Sequence, residues 1–138
     1  MLCFSGCREK NVNSQNIKRI NLILFTFEDN YSPSKNDLHF NITKRPEINE
    51  IVRLLNNAKI TKKDTPQPSC EAAGSIDLID QIGNTSRYFI VHIHNPEYVL
   101  LRNDNEVMYI DNGKPFLEYL KKIGYPVEKL FVKDESKL

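Results

Sequence analysis

Between Arg87 and Gly124 the chain is punctuated so regularly that little freedom remains in how it can fold. Arg87-Tyr88-Phe89-Ile90-Val91-His92-Ile93-His94 sets Phe89, Val91 and Ile93 on one side and Tyr88, Ile90, His92 and His94 on the other, the period-two pattern of a strand. This run is expected to be the central strand. Asn95-Pro96 turns the chain, Tyr98 to Arg102 forms a second strand-like run, Asn103-Asp104-Asn105 turns it again, and Val107 to Asp111 forms a third. Asn112-Gly113 closes this meander. Pro115 then begins a helix with Phe116, Leu117, Leu120 and Ile123 on one face, ended by Gly124 as a left-handed C-cap and by Pro126, which forbids continuation.

Upstream the same logic gives a smaller unit. Ile17 to Phe27 is apolar on both faces, Ile20, Leu22 and Leu24 against Ile23, Phe25 and Phe27, as in a strand covered on both sides or sealed by a helix. Asp37 to Thr43 alternates Leu38, Phe40 and Ile42 inward with His39, Asn41 and Thr43 outward, so the two runs are expected to form a hairpin. Pro46 suits a helix first turn, and Ile48, Ile51, Val52, Leu55 and Ala58 recur on one face, predicting a helix over roughly 46–58. Lys59 to Gly74, polar and holding Pro66 and Pro68, reads as the longest loop. Ser75 to Ile82 fits a strand through Ile76, Leu78 and Ile82 or a short helix through Ile76, Ile79 and Ile82; the hairpin-like turn Gly83-Asn84-Thr85-Ser86 favours the strand. Val127 to Val132 is expected to add a short edge strand. The sum is a single α+β domain over 17–138, an antiparallel meander sheet with two helices packed on one face.

The chain's 138 residues suit one domain burying roughly two thirds of its unfolded surface in one core. A net charge of +1, with basic residues scattered between acidic ones, does not point to nucleic acid or to an anionic membrane surface as a partner. No phosphate-binding glycine loop, Gly-x-Ser-x-Gly elbow or His-Glu-x-x-His helix occurs in the sequence, and no cofactor is expected.

The front of the chain carries the clearest address. Phe4-Ser5-Gly6-Cys7 resembles the lipobox of bacterial lipoproteins, a bulky apolar residue and two small ones before the cysteine to be modified. It differs in having Phe4 where Leu is usual and in lacking the charged and most of the apolar region of a signal peptide. The resemblance implies cleavage before Cys7 and acylation of Cys7, with residues 1–6 as a signal-peptide remnant and the true start further upstream. Residues 8–16 are polar and aperiodic, as a tether from lipid to domain would be. The alternatives are a frayed cytoplasmic N-terminus that happens to carry Cys3 and Cys7, and a metal-binding Cys pair that lacks further ligands at suitable spacing. Nothing later in the sequence approaches the ~20 apolar residues of a membrane-spanning helix, so membrane contact would come through lipid.

Candidates for chemistry are few. His92 and His94 are two apart on one predicted strand and His39 lies on the outer side of another, so the three could meet as metal ligands on one sheet face. Histidines are equally common on half-exposed strands. With Cys3 removed and Cys7 acylated, Cys70 would be left as a lone thiol in the Pro-rich loop, with no cationic partner assignable. Asp77, Asp80, Asp104, Glu106 and Asp111 show no acid/base pairing and read as turn and surface residues. The expected function is that of a small lipid-anchored envelope protein, facing the periplasm or exterior, that binds an unidentified protein or ligand without catalysis. Alternatives are a periplasmic immunity or inhibitor protein against a toxin or hydrolase, and a small His-dependent metal-binding enzyme.

Overall fold

A computed structural model describes residues 12–25, 37–60, 72–93, 97–103 and 106–131, with the backbone alone for Ile60, Tyr98 and Asp111. The strands are β1 (Ile17–Leu24), β2 (Leu38–Ile42), β3 (Lys59–Ile60), β4 (Ala72–Asp80), β5 (Thr85–Val91), β6 (Tyr98–Asn103) and β7 (Glu106–Asp111); the helices are α1 (Arg45–Asn56) and α2 (Lys114–Lys122). The strands form one sheet in the order β2-β1-β4-β5-β6-β7-β3, with every adjacent pair antiparallel. The fold is α+β. β4 to β7 run as a meander, the β1–β2 hairpin extends it on one side, and β5 holds the middle position expected of it.

The register assigns each side chain to a face, because residues directly opposite in a ladder point the same way. One face collects Ile42, Ile20, Leu78, Leu22, Ile76, Ile90, Leu101, Val99 and Ile110 from successive strands. These residues share one core with Ile48, Ile51, Val52, Leu54 and Leu55 of α1 and Phe116, Leu117 and Leu120 of α2. Both helices therefore cover the same face. Pro46 and Pro115 sit in the first turns, where a missing N–H costs nothing, and Lys121 and Lys122 lie at the negative end of α2. Gly124, at φ 100°, makes the left-handed exit from α2.

That exit places Tyr125 under the sheet. Its ring packs on Phe40 with centroids 5.3 Å apart, and its hydroxyl donates to the Ile23 carbonyl at 3.0 Å, more than a hundred residues away in sequence. Gly74 makes room for the phenol. Burial pushes the Tyr125 hydroxyl well above its ordinary pKa. An unfolded tyrosine ionises near pH 10, so the stability that goes with a neutral, buried phenol is complete below that pH and is lost as pH climbs toward the folded-state value. Above pH 10 the wild type is expected to lose about 1.4 kcal/mol per pH unit more than Tyr125→Phe. Urea titrations at several alkaline pH values measure this directly, and parallel slopes would refute it.

Several boundaries differ from the sequence expectation. Ser75 belongs to a strand, and that strand begins at Ala72, inside the segment read as loop; Lys59 and Ile60 leave the same segment to pair with Tyr109 and Met108. Val127–Leu130 is a 3-10 turn, with a single parallel bridge from Phe131 to Ile93 after it. Leu130 is fully buried, and its carbonyl accepts the Ile93 N–H at 2.9 Å. A tight turn satisfies that burial where an edge strand would have left one side of the residue in water. The same bridge ends the alternation of β5: Ile93, paired in sequence pattern with Phe89, joins the helix-covered core instead. Leu54 joins the buried face of α1 unannounced.

Candidate functional site

The face turned away from both helices is built around the β4–β5 hairpin. At its turn the Asp80 carboxylate accepts the N–H groups of Ile82 and Asn84 at 3.0 and 2.9 Å, and Gly83 takes a positive φ of 95°. This fixes the pairing symmetrically about Ile82, so that Ile79 meets Thr85 and Asp77 meets Arg87. Asp77 is 5% exposed, an uncommon setting for a carboxylate. Both its oxygens accept from Arg87, from Nε and Nη2 at 2.7 Å each, and Ser75 Oγ donates to it at 3.3 Å. The carboxylate beside it raises the Arg87 pKa, chiefly through that hydrogen bonding.

Beyond the ion pair lies an aromatic patch. Arg87 and Arg102 place their guanidinium carbons 5.7 and 5.4 Å from the centroid of the Phe89 ring. Phe25 lies 6.3 Å from the same ring, tilted against it. Register explains the grouping: Ile23, Ser75, Phe89 and Arg102 form one row across β1, β4, β5 and β6. Asn103 Nδ2 donates to the Arg87 carbonyl at 2.9 Å, tying β6 to β5 at the neighbouring row. Ile23 and Val91 are buried yet stand outside the helix-side core.

Asp80 is thus a turn residue, as its context suggested, but Asp77 is not a surface one. Sequence periodicity alone does not group Arg87, Phe89 and Arg102. The clue was available in part: Arg87 and Phe89 share a parity, and a turn centred on Ile82 brings Asp77 opposite Arg87.

The histidines are not brought together by the described residues. His39 is exposed on β2, its Nδ1 3.2 Å from Asn21 Nδ2, while His92 follows the last residue of β5. Those strands are three places apart, roughly 14 Å. His94, Cys7 and Cys70 lie outside the described residues. Among the described residues no three His, Cys, Asp or Glu side chains group as a metal site would require, and no helix is long and apolar enough to cross a membrane.

A scan against protein-family models finds no match to this chain, and searches of curated proteins and of solved structures find none either. The site must therefore be read from its own chemistry.

Proposed function

We propose that this chain is a lipid-anchored protein of the bacterial cell envelope, tethered through Cys7, whose domain is a non-enzymatic binding module that uses the outer face of its sheet. The observation that carries the binding role is the Phe89 patch, an aromatic ring with two guanidiniums within 6 Å of its centroid on a sheet face that no described helix covers. Aromatic and arginine side chains on a fixed scaffold are what protein interfaces concentrate their affinity in. For the anchor, the support is the lipobox-like Phe4-Ser5-Gly6-Cys7 and the polar residues behind it. Val12 exchanges two 2.9 Å hydrogen bonds with the Asn56 side chain, so the far end of that polar stretch is fastened to α1.

Two experiments test the two halves. Metabolic labelling by an alkyne fatty acid of cells expressing the gene from its own locus is expected to mark the wild type and leave Cys7→Ala unmarked; label on neither removes the anchor. A photo-reactive amino acid at Leu100, on the outer face, is expected to give a discrete adduct in cells, whereas one at Glu118 on α2 is not. Adducts from Glu118 alone, or from neither position, would overturn the binding face. A toxin or hydrolase in the Leu100 adduct would narrow the role to an inhibitor.

A further inference from the structure

We propose that the anchored chain stands on the membrane in one orientation, with the C-terminal end of α1 turned to the lipid headgroups. The inference rests on the Cys7 anchor and adds which surface of the domain meets the bilayer. Of the polar residues behind Cys7, 12–16 are part of the folded domain. Ser14–Asn16 form a 3-10 turn, opened by the Asn13 side chain, which accepts the Gln15 N–H at 3.0 Å.

This segment is fastened along α1 and to the β4–β5 turn. At the end of α1, the Asn56 side chain accepts the Val12 N–H and donates to the Val12 carbonyl, so one amide holds both backbone groups of one residue. At the start of α1, Arg45 donates from Nη1 to the Ser14 carbonyl at 2.7 Å and from Nη2 to the Ile17 carbonyl at 3.0 Å. The Gln81 N–H donates to the Asn16 carbonyl at 3.1 Å, and Val12 packs against the core. Releasing the segment means breaking these contacts together. The segment runs opposite to α1, from Asn56 back to Arg45, so the chain coming from Cys7 joins the domain beside the C-terminal end of that helix.

Length then sets the orientation. Val12 is five residues from Cys7, and five residues span at most roughly 18 Å however extended. Acyl chains hold their cysteine at the membrane surface. Asn56, bonded to Val12, is thereby kept close to the headgroups. A domain of this size is roughly 35 Å across, twice the reach of that leash, so it cannot roll over to lay its far side on the bilayer. Had 12–16 been free, the leash would run from Cys7 to Ile17 and reach roughly 36 Å, enough to allow it. Charge plays little part. A net charge of +1 draws the domain only weakly to anionic headgroups, so the orientation should not depend on salt.

The full chain carrying Cys3→Ser and Cys70→Ser, labelled with 15N, would be coupled at Cys7 to a maleimide-headgroup phospholipid and placed in phosphatidylcholine nanodiscs containing a gadolinium-chelate lipid. Paramagnetic broadening falls steeply with distance from the headgroups. Amides of Leu55, Asn56 and Asn57 are expected to broaden at least about threefold more than those of Lys44, Arg45 and Glu47, ~18 Å away at the other end of α1, in low and in high salt. Asn56→Ala should cut that contrast by about half or more, because it frees Val12 and lengthens the leash. About ten Gly and Ser residues inserted between Lys10 and Asn11, outside the fold, should abolish it. Unchanged amide shifts in the sheet show that both variants fold. Equal broadening at the two ends, stronger broadening at the Lys44 end, a contrast lost in high salt, or one that survives either variant would overturn the orientation. The lipid is attached chemically, so the two readings fail separately. No fatty-acid label on Cys7 in cells would remove the anchor and, with it, the orientation there; label in cells with uniform broadening in the nanodisc would keep the anchor and refute the orientation alone.

Discussion

Gly74→Ala is expected to lower the stability of the fold by about 2–4 kcal/mol. In β4, Gly74 lies between Leu24 of β1 and Ile90 of β5, so its position is set from both sides. A Cβ there would overlap the Ile23 carbonyl oxygen and come within 2.6 Å of Tyr125 Oη. The first obstacle is backbone and cannot swing aside. Relief requires β1 and β4 to part, which weakens their ladder and the hydrogen bond from Tyr125 to Ile23. Overpacking of this kind costs ~1–3 kcal/mol, and a lost buried hydrogen bond ~1 kcal/mol more. For a chain of this length the melting temperature should fall by roughly 10 °C. Urea denaturation with an unchanged m-value would confirm the loss. Adding Tyr125→Phe to Gly74→Ala should recover little, since the carbonyl overlap persists. Full recovery would show instead that the phenol alone was the obstacle.

The second large effect concerns the ion pair on the outer face. Arg87→Leu is expected to cost about 2–3 kcal/mol at neutral pH, because it leaves the buried Asp77 carboxylate with Ser75 as its remaining described partner. Breaking a fully buried pair costs ~3–5 kcal/mol; the lower figure here reflects the 44% exposure of the Arg87 side chain, which lets water reach the carboxylate. Asp77→Leu combined with Arg87→Leu removes both charges, and the double variant should be more stable than Arg87→Leu alone by at least 1 kcal/mol or so. Thermal denaturation of the two singles and the double gives the coupling. A double variant no better than Arg87→Leu would mean that the lost packing of the arginine stem on Phe89, and not the orphaned charge, sets the cost.

The pair also links stability to the proposed role. Arg87 lies over the Phe89 ring and Asp77 holds Arg87, so the ring that Arg102 also approaches is tied into a network on the sheet. A variant that disturbs Asp77 should loosen the patch without touching any partner directly.

Local patterning fixes much of the architecture. Pro115, Gly124 and Pro126 mark the ends of α2 because each restricts the backbone by itself. Alternation of Ile20, Leu22 and Leu24 against Leu38, Phe40 and Ile42 specified the β1–β2 hairpin, since a one-residue slip would turn the whole set to water. The place of β5 at the middle of the sheet followed from its apolar run and flanking turns.

Contacts distant in sequence settled the rest. Asp77 looked like any surface acid because nothing local buries it; its burial and partner come from the pairing of β4 with β5. Phe89 and Arg102 share a row only through the β5–β6 register, which turn composition alone does not fix. Strand alternation carried Ile93 to the wrong face, because its bridge to Phe131 and burial beside Leu130 outweighed the periodicity of its own strand. Gly74 read as the end of a loop until the Ile23 carbonyl and the Tyr125 hydroxyl were seen to occupy its side-chain space. The sequence by itself determined both helices and the longer strands and, for most of them, which side is apolar, because those are properties of neighbouring residues. The tertiary structure decided which charges are buried, which rings and guanidiniums meet and where a glycine is obligatory, because those depend on atoms that only folding brings into contact.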